Sequence, residues 1–452
     1  MLAVLLFGLG FGLAGSAFAT NGYFTHGTGT KNKARAGSGI ALPEEAASAV
    51  NNPATAVLVG NRMEVGLALF RPRSSYFSSE SNRNGQFGSF TIGPNEIDAQ
   101  DQSLLIPYFA RSWQLQNESA FALALYGQAG INTEYRGGTA TFDPDRGGPG
   151  PIVTRPGSLG DGDVKWKLYQ ALMDISYARQ LGERTSLGVS AVLAAQTFKV
   201  SGIGTLAYLT ETFAKSGGTE MPANLSANGQ DKSYGAGLKF GLHFQWTPTL
   251  GFGLMYQSKI YMSKFKDYSD LFAGGGDFDI PADFKFGISW RALDPLVLSL
   301  DVDHIFYSGV DALGNSLDDL FRCPTAERGG NDVSACLGGE NGGGLGWQDM
   351  TVYKMGLDWD VGERWTLRGG FSFSHHPIPI SDMNNNLFSP YLAEAHYTFG
   401  LTWKLRENRE LNFSVMYSEE ESMNERNRFD VSQYLISEAD QYELELSYGW
   451  RF

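Results

Sequence analysis

The fold is decided by the end of the chain, which reads QYELELSYGWRF at residues 441–452. Every even-numbered position from Tyr442 to Phe452 is apolar or aromatic, and every odd-numbered position is polar or Gly. Because successive side chains of a β-strand point to opposite faces, this pattern indicates a strand with one apolar and one polar face. Aromatic residues at both ends of the apolar face favour a membrane barrel whose polar face turns to the lumen, although a half-buried strand of a soluble sandwich also alternates.

The two ends of the chain together indicate export to a membrane. Residues 1–19 carry no charge, and their apolar run closes on Ala17-Phe18-Ala19, which is the pattern of a secretory signal peptide; a membrane anchor is the alternative. A chain that ends in an aromatic strand after a signal peptide resembles outer-membrane β-barrel proteins, in which that strand is an assembly signal. The residues that carry this signal here are Tyr448, Trp450 and Phe452. The barrel assembly machinery is therefore an expected partner.

The same alternation recurs along the chain, and the connections between alternating segments are of two kinds. Short polar turns are predicted at 114–118, 181–184, 247–249, 292–295, 361–364 and 406–409. Long polar or Gly-rich loops are predicted at 79–97, 136–161, 204–229, 265–279, 308–344, 377–390 and 423–437. Six short and seven long connections, strictly alternating, make 13 joints and therefore 14 strands. The sequence thus predicts an all-β fold, a 14-stranded antiparallel transmembrane β-barrel over 62–452.

Composition agrees with an exported barrel and excludes one class of partner. The chain has 452 residues, with 49 Asp and Glu against 35 Lys and Arg, and a formal net charge of −14. This balance argues against nucleic acid as a partner, because neutralising phosphates needs clustered Lys and Arg. Acidic residues on one face of so many strands would be costly in a dry core, but a wet lumen tolerates them.

Residues 20–61 precede the first strand and do not alternate. They are small, rich in Gly and Ala, and contain Asn52, Pro53 and Ala54 near their end. A segment of this length at the periplasmic mouth of a wide barrel has room inside it. We therefore predict an N-terminal hatch, a plug in the lumen, over 20–61; a disordered periplasmic tail is the alternative.

An ordered set of stretches resembles one family along nearly the whole mature chain. The N-terminal stretches are NGYFTHG at 21–27, GSGIALP at 37–43 and NPA at 52–54. The later ones are ALYGQAGINTEY at 124–135, YQSKIYMSKF at 256–265, FDIPA at 278–282, YS at 307–308 and GWQD at 346–349. Together they resemble the FadL/TodX family of outer-membrane transporters. The resemblance implies a 14-stranded barrel with an N-terminal hatch, and uptake of long-chain fatty acids in some members and aromatic hydrocarbons in others.

The resemblance also implies roles for particular residues. An N-terminal aromatic of the family reaches an internal binding site, and this role falls here on Phe24 or its neighbour Tyr23, which makes the hatch a gate; anchoring the plug is the alternative. The third strand of the family kinks and opens the wall sideways. Gly127 and Gly130 interrupt the matching strand, and Gly often marks a bulge or sharp bend, or else only relieves crowding.

Two long loops carry apolar residues at helical spacing, in the stretches 204–216 and 265–273. In the family, a low-affinity site lies between the corresponding loops, so these residues are expected to form the substrate groove, or simply to pack the loops together. They are Leu206, Leu209, Phe213, Tyr268, Leu271 and Phe272.

No pattern of catalytic residues is found. The His residues are scattered without metal-binding spacing, and the chain has neither a G-x-S-x-G elbow nor a P-loop. We expect no enzyme activity, no cofactor and no metal. Cys323 and Cys336 share the longest loop, and export predicts that they form a disulfide, which would stabilise the chain by roughly 3 kcal/mol.

The sequence therefore predicts a monomeric channel in the outer membrane of a Gram-negative bacterium. Hydrophobic molecules, with long-chain fatty acids first, would be captured in the loop groove, moved to a pocket gated by the hatch and released sideways through the kinked strand. Uptake of aromatic hydrocarbons by the same route is the alternative, and a general porin or a surface adhesin is the second. Expected partners are the hydrophobic substrate, outer-membrane lipid and lipopolysaccharide.

Overall fold

The computed structural model describes residues 21–100, 103–116, 118–146, 148–388 and 390–452. The signal peptide predicted at 1–19 lies outside these residues. Long strands in the described part form one closed antiparallel sheet, in which the first strand pairs with the last. They are labelled β1 to β14 in chain order: Arg62–Ser78, Leu104–Leu115, Ser119–Tyr135, Val164–Leu181, Thr185–Ser201, Asp231–Thr247, Leu250–Gln257, Asp283–Leu293, Leu296–Ile305, Met350–Val361, Trp365–Phe373, Ala395–Arg406, Arg409–Asn427 and Asp430–Arg451.

This arrangement confirms the predicted fold class, an antiparallel barrel of 14 strands. The alternating pattern of the sequence places apolar side chains on the outer face of the barrel and polar side chains on the lumen face, as expected. In β14, Leu446 on the outer face is 57% exposed, whereas its lumen-facing neighbour Glu445 is 2% exposed. Among the described residues, no helix is long and apolar enough to cross a membrane.

All six predicted turns lie at one end of the barrel, between strands that pair directly as hairpins. Six of the seven predicted long loops lie at the other end. The seventh prediction, a loop at 423–437, is wrong, because β13 continues to Asn427 and β14 resumes at Asp430. These strands run well past the roughly 9–11 residues needed to cross a membrane. Beyond the bilayer both of their faces meet water or other loops, so the period-two pattern that reveals a strand is lost there.

Short elements complete the loops and the N-terminal segment. The short strands are Thr91–Ile92, Asn95–Asp98, Thr139–Phe142, Val153–Pro156 and Tyr261–Met262. The α-helical turns are Thr30–Lys33, Ser48–Asn51, Glu211–Lys215, Ala273–Gly276, Asp311–Gly314, Leu317–Leu320 and Met383–Asn386. The 3-10 turns are Pro53–Val57, Gln86–Gly88, Gly204–Leu209, Lys266–Tyr268, Tyr307–Gly309, Pro324–Ala326, Val333–Ala335 and Ile380–Asp382.

The N-terminal segment, residues 21–60, lies inside the barrel and is buried over nearly its whole length. It contacts strands on opposite sides of the lumen: Asn52 donates to the carbonyl of Leu242 in β6, and Lys33 pairs with Glu443 in β14. Lumen-facing glycines make room for it. A Cβ at Gly370 in β11, for example, would lie 2.2 Å from the backbone carbon of Arg35.

Candidate functional site

A cavity of about 410 Å³ lies among the long loops. Its volume falls within the roughly 300–1,000 Å³ that is usual for small-molecule sites. The walls are mainly apolar and aromatic, and every long loop contributes, as does the end of the β13–β14 hairpin. Representative wall residues are Phe90, Phe142, Trp166, Leu209, Leu345 and Phe429.

Most of the predicted groove residues line this cavity. Leu206 and Leu209 come from the 3-10 turn Gly204–Leu209, and Leu271 and Phe272 come from the facing loop. The other two predicted groove residues do not line the cavity. The remaining residues are Tyr268, which packs edge-on against Phe198 at 4.9 Å between ring centroids, and Phe213, which packs against Tyr208 at 5.1 Å.

Arginines border the cavity, and they differ in whether their guanidinium groups have a partner in the chain. Arg146 pairs with Glu327 at 3.0 Å, and Arg328 donates to a backbone carbonyl at 2.8 Å. Arg83 has no hydrogen-bond or ion-pair partner for its guanidinium among the residues that the structure describes. Phe87, close to Arg83 in the same loop, is 85% exposed at the cavity. A cationic group beside an apolar cavity suits a ligand with an anionic head and an apolar body.

Cys323 and Cys336 form a disulfide in the loop between β9 and β10. Ala326, Glu327 and Arg328 lie within the chain segment that it closes, and all three line the cavity. The bridge therefore fixes part of the cavity wall. Among the described residues, no group of three or more His, Cys, Asp or Glu is placed to hold a metal.

A chain of aromatic rings leads from the cavity into the lumen. Phe272, in the cavity wall, contacts Phe278 at 5.0 Å between centroids, and Phe278 lies 6.4 Å from Tyr23. Tyr23 in turn contacts Phe24 edge-on at 5.0 Å. Both N-terminal aromatics are buried, at 3% and 4% exposure, so neither Tyr23 nor Phe24 is singled out by burial alone.

Two partners of this cluster were not among the site residues read from the sequence. Tyr307 lies 5.7 Å from Phe24, and Trp347 lies 5.8 Å from Tyr23. The indole N–H of Trp347 donates to Asn386 at 2.7 Å, which fixes the ring. Both residues belong to stretches that carried the family resemblance, so that resemblance is the signal that pointed to them.

The barrel wall is interrupted where Phe24 ends the aromatic chain. The ladder between β2 and β3 runs from Leu115 and Ser119 as far as Tyr108 and Tyr126, and no pair beyond it joins these strands in the described chain. The next residues of β3 keep β4 as a neighbour on one side, with a shift of register between Gly127 and Ala129. The wall therefore has a gap beside a bulge.

The N-terminal segment occupies this gap. The backbone N–H of Thr25 donates to the carbonyl of Gln128 at 3.0 Å, and Phe24 forms an antiparallel bridge with Ala129. The N-terminal segment thus pairs with the bulge of β3 at a point where β2 does not.

Gly127 and Gly130 flank this bulge, and both are placed where a side chain would crowd β2. A Cβ at Gly127 would lie 2.6 Å from Cγ2 of Ile106, and one at Gly130 would lie 3.0 Å from Cδ1 of Leu104. Their backbone angles are of the ordinary kind, so these glycines do not serve a left-handed turn; they leave room for the side chains of Ile106 and Leu104 beside the interrupted ladder.

Asn52, Pro53 and Ala54 anchor the far end of the N-terminal segment. The Asn52 side chain accepts the N–H of Ala54 at 3.1 Å and donates to the carbonyl of Ile40 at 3.0 Å, besides its bond to β6. The carbonyl of Ala54 accepts from the hydroxyl of Ser186 in β5 at 2.9 Å. These bonds tie the motif to β5 and β6, and none of them involves the gap between β2 and β3.

Ion pairs hold the middle of the segment. Lys33 lies between Glu443 and Glu445 of β14, at 2.8 and 2.7 Å, and Arg35 pairs with Asp358 of β10 at 2.7 Å. All of these side chains are buried. The acidic residues that the sequence places on the lumen face thus meet cations of the N-terminal segment.

At the C-terminus, Tyr448 and Trp450 lie on the outer face of β14 at the short-turn end, and Phe452 follows the strand directly. The ring of Trp450 lies 6.2 Å from that of Phe452, and the Arg111 guanidinium lies over the Phe452 ring at 5.2 Å. The N–H of Phe452 donates to the carbonyl of Asn61 at 3.1 Å, which joins the two ends of the barrel sequence.

Comparison with known proteins gives a family and a set of folds. Residues 157–447 match the model of a family described as outer membrane protein transport protein (OMPP1/FadL/TodX). No curated protein matches the chain in sequence.

Among solved structures, the toluene transporter TodX of P. putida is 17% identical, with a TM-score of 0.63 over 94% of this chain and 99% of that one. The toluene transporter TbuX of Ralstonia pickettii is 18% identical, with a TM-score of 0.58 over 94% and 99%. A FadL homologue of Pseudomonas aeruginosa is 15% identical, with a TM-score of 0.63 over 95% and 100%. At these low identities, the TM-scores and the coverage show a shared fold.

Proposed function

The chain belongs to the OMPP1/FadL/TodX family of outer membrane transport proteins, and we propose that it is a channel for the passive uptake of hydrophobic molecules, with long-chain fatty acids as its substrates. The family and the barrel place it in the Gram-negative outer membrane. Transport of a hydrophobic solute is needed there because the polar outer leaflet blocks entry to the hydrocarbon.

The observation that carries the proposal is the interrupted wall between β2 and β3. A polar solute gains nothing from a side exit into hydrocarbon, where its polar groups would lose their hydrogen bonds. An apolar solute reaches its preferred environment by the same exit. A gap at Gly127 to Gly130, closed by the chain's own N-terminus, is therefore suited to apolar cargo.

The route follows the aromatic chain. Cargo enters the loop cavity, passes Phe272 and Phe278 and reaches the rings of Tyr23 and Phe24. Residues 20–61 act as the hatch, and only displacement of its first residues from β3 is needed to free the gap. A ligand that binds the displaced state better than the closed one shifts the population towards it.

Long-chain fatty acids are preferred over aromatic hydrocarbons for a reason specific to this cavity. Arg83 supplies a cationic group beside an apolar space, which matches a carboxylate on a long chain and has no counterpart in toluene. The solved TodX and TbuX are described as toluene transporters, so hydrocarbon uptake is the alternative that the experiment must separate.

The test is uptake of labelled oleate and labelled toluene by cells with and without the protein, together with ion conductance of the purified channel. We expect oleate uptake to depend on the protein and conductance to stay low. Dependence of toluene uptake alone would support the alternative. Unchanged uptake of both, with steady flux of polar solutes, would overturn the proposal in favour of a porin.

The side exit has its own variant, Gly127→Val with Gly130→Val. The added side chains crowd Ile106 and Leu104, so oleate uptake should fall towards the level of cells without the protein while the barrel still assembles. Gly369→Val is the matched control, since a Cβ there meets nothing closer than 3.9 Å. Normal uptake by the double variant would remove the lateral exit from the proposal.

A further inference from the structure

Lysines cluster on the outer face of one side of the barrel, at the long-loop ends of β4, β5 and β6. Lys167 of β4 and Lys199 of β5 are direct cross-strand partners. Lys232 of β6 lies opposite Thr197, one outward-facing position away from Lys199. Lys165 lies one outward-facing position beyond Lys167. This group is called the lysine patch below.

Aromatic residues on β4 indicate where the patch lies relative to the membrane. Tyr169 and Tyr177 both face outward, at 37% and 46% exposure, with apolar side chains between them. They are separated by about 20 Å across the membrane if the strand tilts about 40°, which is close to the roughly 25 Å apolar band of such barrels. Lys167 is the next outward position beyond Tyr169, so it stands at the outer edge of the band. Lys232 stands beyond Tyr234 of β6 in the same way.

The charges of the patch are not balanced within the described chain. Lys165 pairs with Glu134 at 3.0 Å. The ammonium groups of Lys167, Lys199 and Lys232 have no hydrogen-bond or ion-pair partner among the residues described. Like charges directly opposite each other on neighbouring strands are destabilising, so an anion bound from outside the chain would stabilise this arrangement.

On the opposite side of the barrel, the outward-facing residues near the long-loop ends are of a different kind. There, the outward positions near the long-loop ends carry aromatic residues such as Tyr353, Phe373 and Tyr417, and exposed Glu419 and Glu420 follow Tyr417. Basic residues also lie elsewhere on the exterior, but Arg73 of β1, for example, pairs with Asp440. The lysines of the patch that have no partner in the described chain therefore point to a bound partner on their side of the barrel.

We propose that the lysine patch is a docking site for one lipopolysaccharide molecule of the outer leaflet. Its lipid phosphates lie on the ammonium groups of Lys167, Lys199 and Lys232, and its acyl chains lie along Tyr169, Tyr234 and the apolar face below them. Phosphate is the anion that fits the height, because lysines at the edge of the apolar band meet the phosphate layer of the lipid and not its sugars or chains. The site is separate from the transport route, which runs inside the barrel.

The experiment measures lipid retained by the purified full-length protein in detergent, by native mass spectrometry. The probes are bis-phosphorylated lipid A, the same lipid A after removal of both phosphates, and dioleoylphosphatidylglycerol. We expect one molecule of phosphorylated lipid A per barrel, and retention lower by at least about tenfold for the dephosphorylated form. Equal retention of the dephosphorylated form, or phosphatidylglycerol displacing lipid A at equal concentration, would overturn the proposal.

Variants locate the site. Lys167→Gln with Lys199→Gln and Lys232→Gln should lower retention of lipid A by at least about tenfold, whereas the corresponding triple change to Arg should retain it. The matched control removes as many positive charges at the short-turn end, by Arg364→Gln, Lys404→Gln and Arg406→Gln, and should bind as the unchanged protein does. Heat-modifiable migration on gels checks that each variant is folded. A folded Gln triple variant that retains lipid A normally would contradict the site, and oleate uptake by the same variant reports separately on the transport proposal.

Discussion

The two parts of the N-terminal segment are held in the barrel by different forces. The strap, defined as Asn21–Thr25, contains no charged side chain and is joined to β3 by one backbone hydrogen bond and a bridge. The clamped segment, defined as His26–Val57, is tied to the wall by buried ion pairs and by bonds from Lys354, Ser186 and Asn52. Both parts are equally buried, so burial does not distinguish them.

This difference indicates which part can move. Breaking a buried ion pair by removing one partner leaves an uncompensated charge, which costs about 3–5 kcal/mol. Releasing the strap costs the backbone bond to Gln128, the bond from the Tyr307 hydroxyl to the Asn21 carbonyl and several aromatic contacts. A hydrophobic ligand in the same pocket replaces the aromatic contacts in part. We therefore infer that the gate consists of the strap and that the clamped segment stays in place during transport.

The largest expected effect comes from unclamping the segment. Lys33→Met leaves Glu443 and Glu445 buried without their cation, so the free energy of unfolding should fall by about 3–5 kcal/mol. Urea denaturation of the refolded protein in detergent, followed by Trp fluorescence, measures this. The matched control is Lys215→Met, whose side chain is 63% exposed in a loop pair, and it should change stability little. Equal loss in both variants would mean that the clamp does not stabilise the barrel.

The sequence predicted half of this clamp. The acidic residues on the lumen face follow from alternation, because Glu443 and Glu445 share the odd positions of the last strand. Their partner Lys33 does not follow, because a single sequence carries no signal for which side chains meet across a lumen. The fold was predictable because membrane strands must repeat a two-residue pattern, while the strands beyond the bilayer at 423–437 lack that constraint and were missed.

The candidate site was predictable to a similar degree. Tyr23, Phe24 and the glycines of β3 were read from a family resemblance, and the structure brings Phe24 to the bulge that Gly127 and Gly130 flank. The gap itself, where β2 leaves β3 beyond Tyr126, has no local sequence signature. Strand pairing depends on the whole sheet, so only the three-dimensional arrangement reveals where a ladder ends.

A smaller effect is expected from loosening the strap. Phe24→Ala removes contacts with Tyr23 and Tyr307, so the strap should leave β3 more often, and the loss in global free energy of unfolding should not exceed the free energy that holds the strap in place. Hydrogen exchange followed by mass spectrometry should show faster exchange confined to the strap and to β3 near Gln128. Val57→Ala, at the other end of the segment, is the control and should leave strap exchange unchanged. Faster exchange throughout the clamped segment would show that the two parts move as one body.

The smallest change tests the single backbone bond between the strap and the bulge. Thr25→Pro removes the N–H that donates to Gln128, whereas Thr25→Ala keeps it. The lost bond is worth about 1 kcal/mol, so the open state of the strap should become about fivefold more populated, and oleate uptake at low substrate concentration should rise by up to the same factor. The Ala variant should behave as the unchanged protein, which separates the bond from the side chain. Uptake that is equal in both variants would place the gating step outside the strap, because loss of the one described backbone hydrogen bond between the strap and β3 should shift the equilibrium of a gate that opens there.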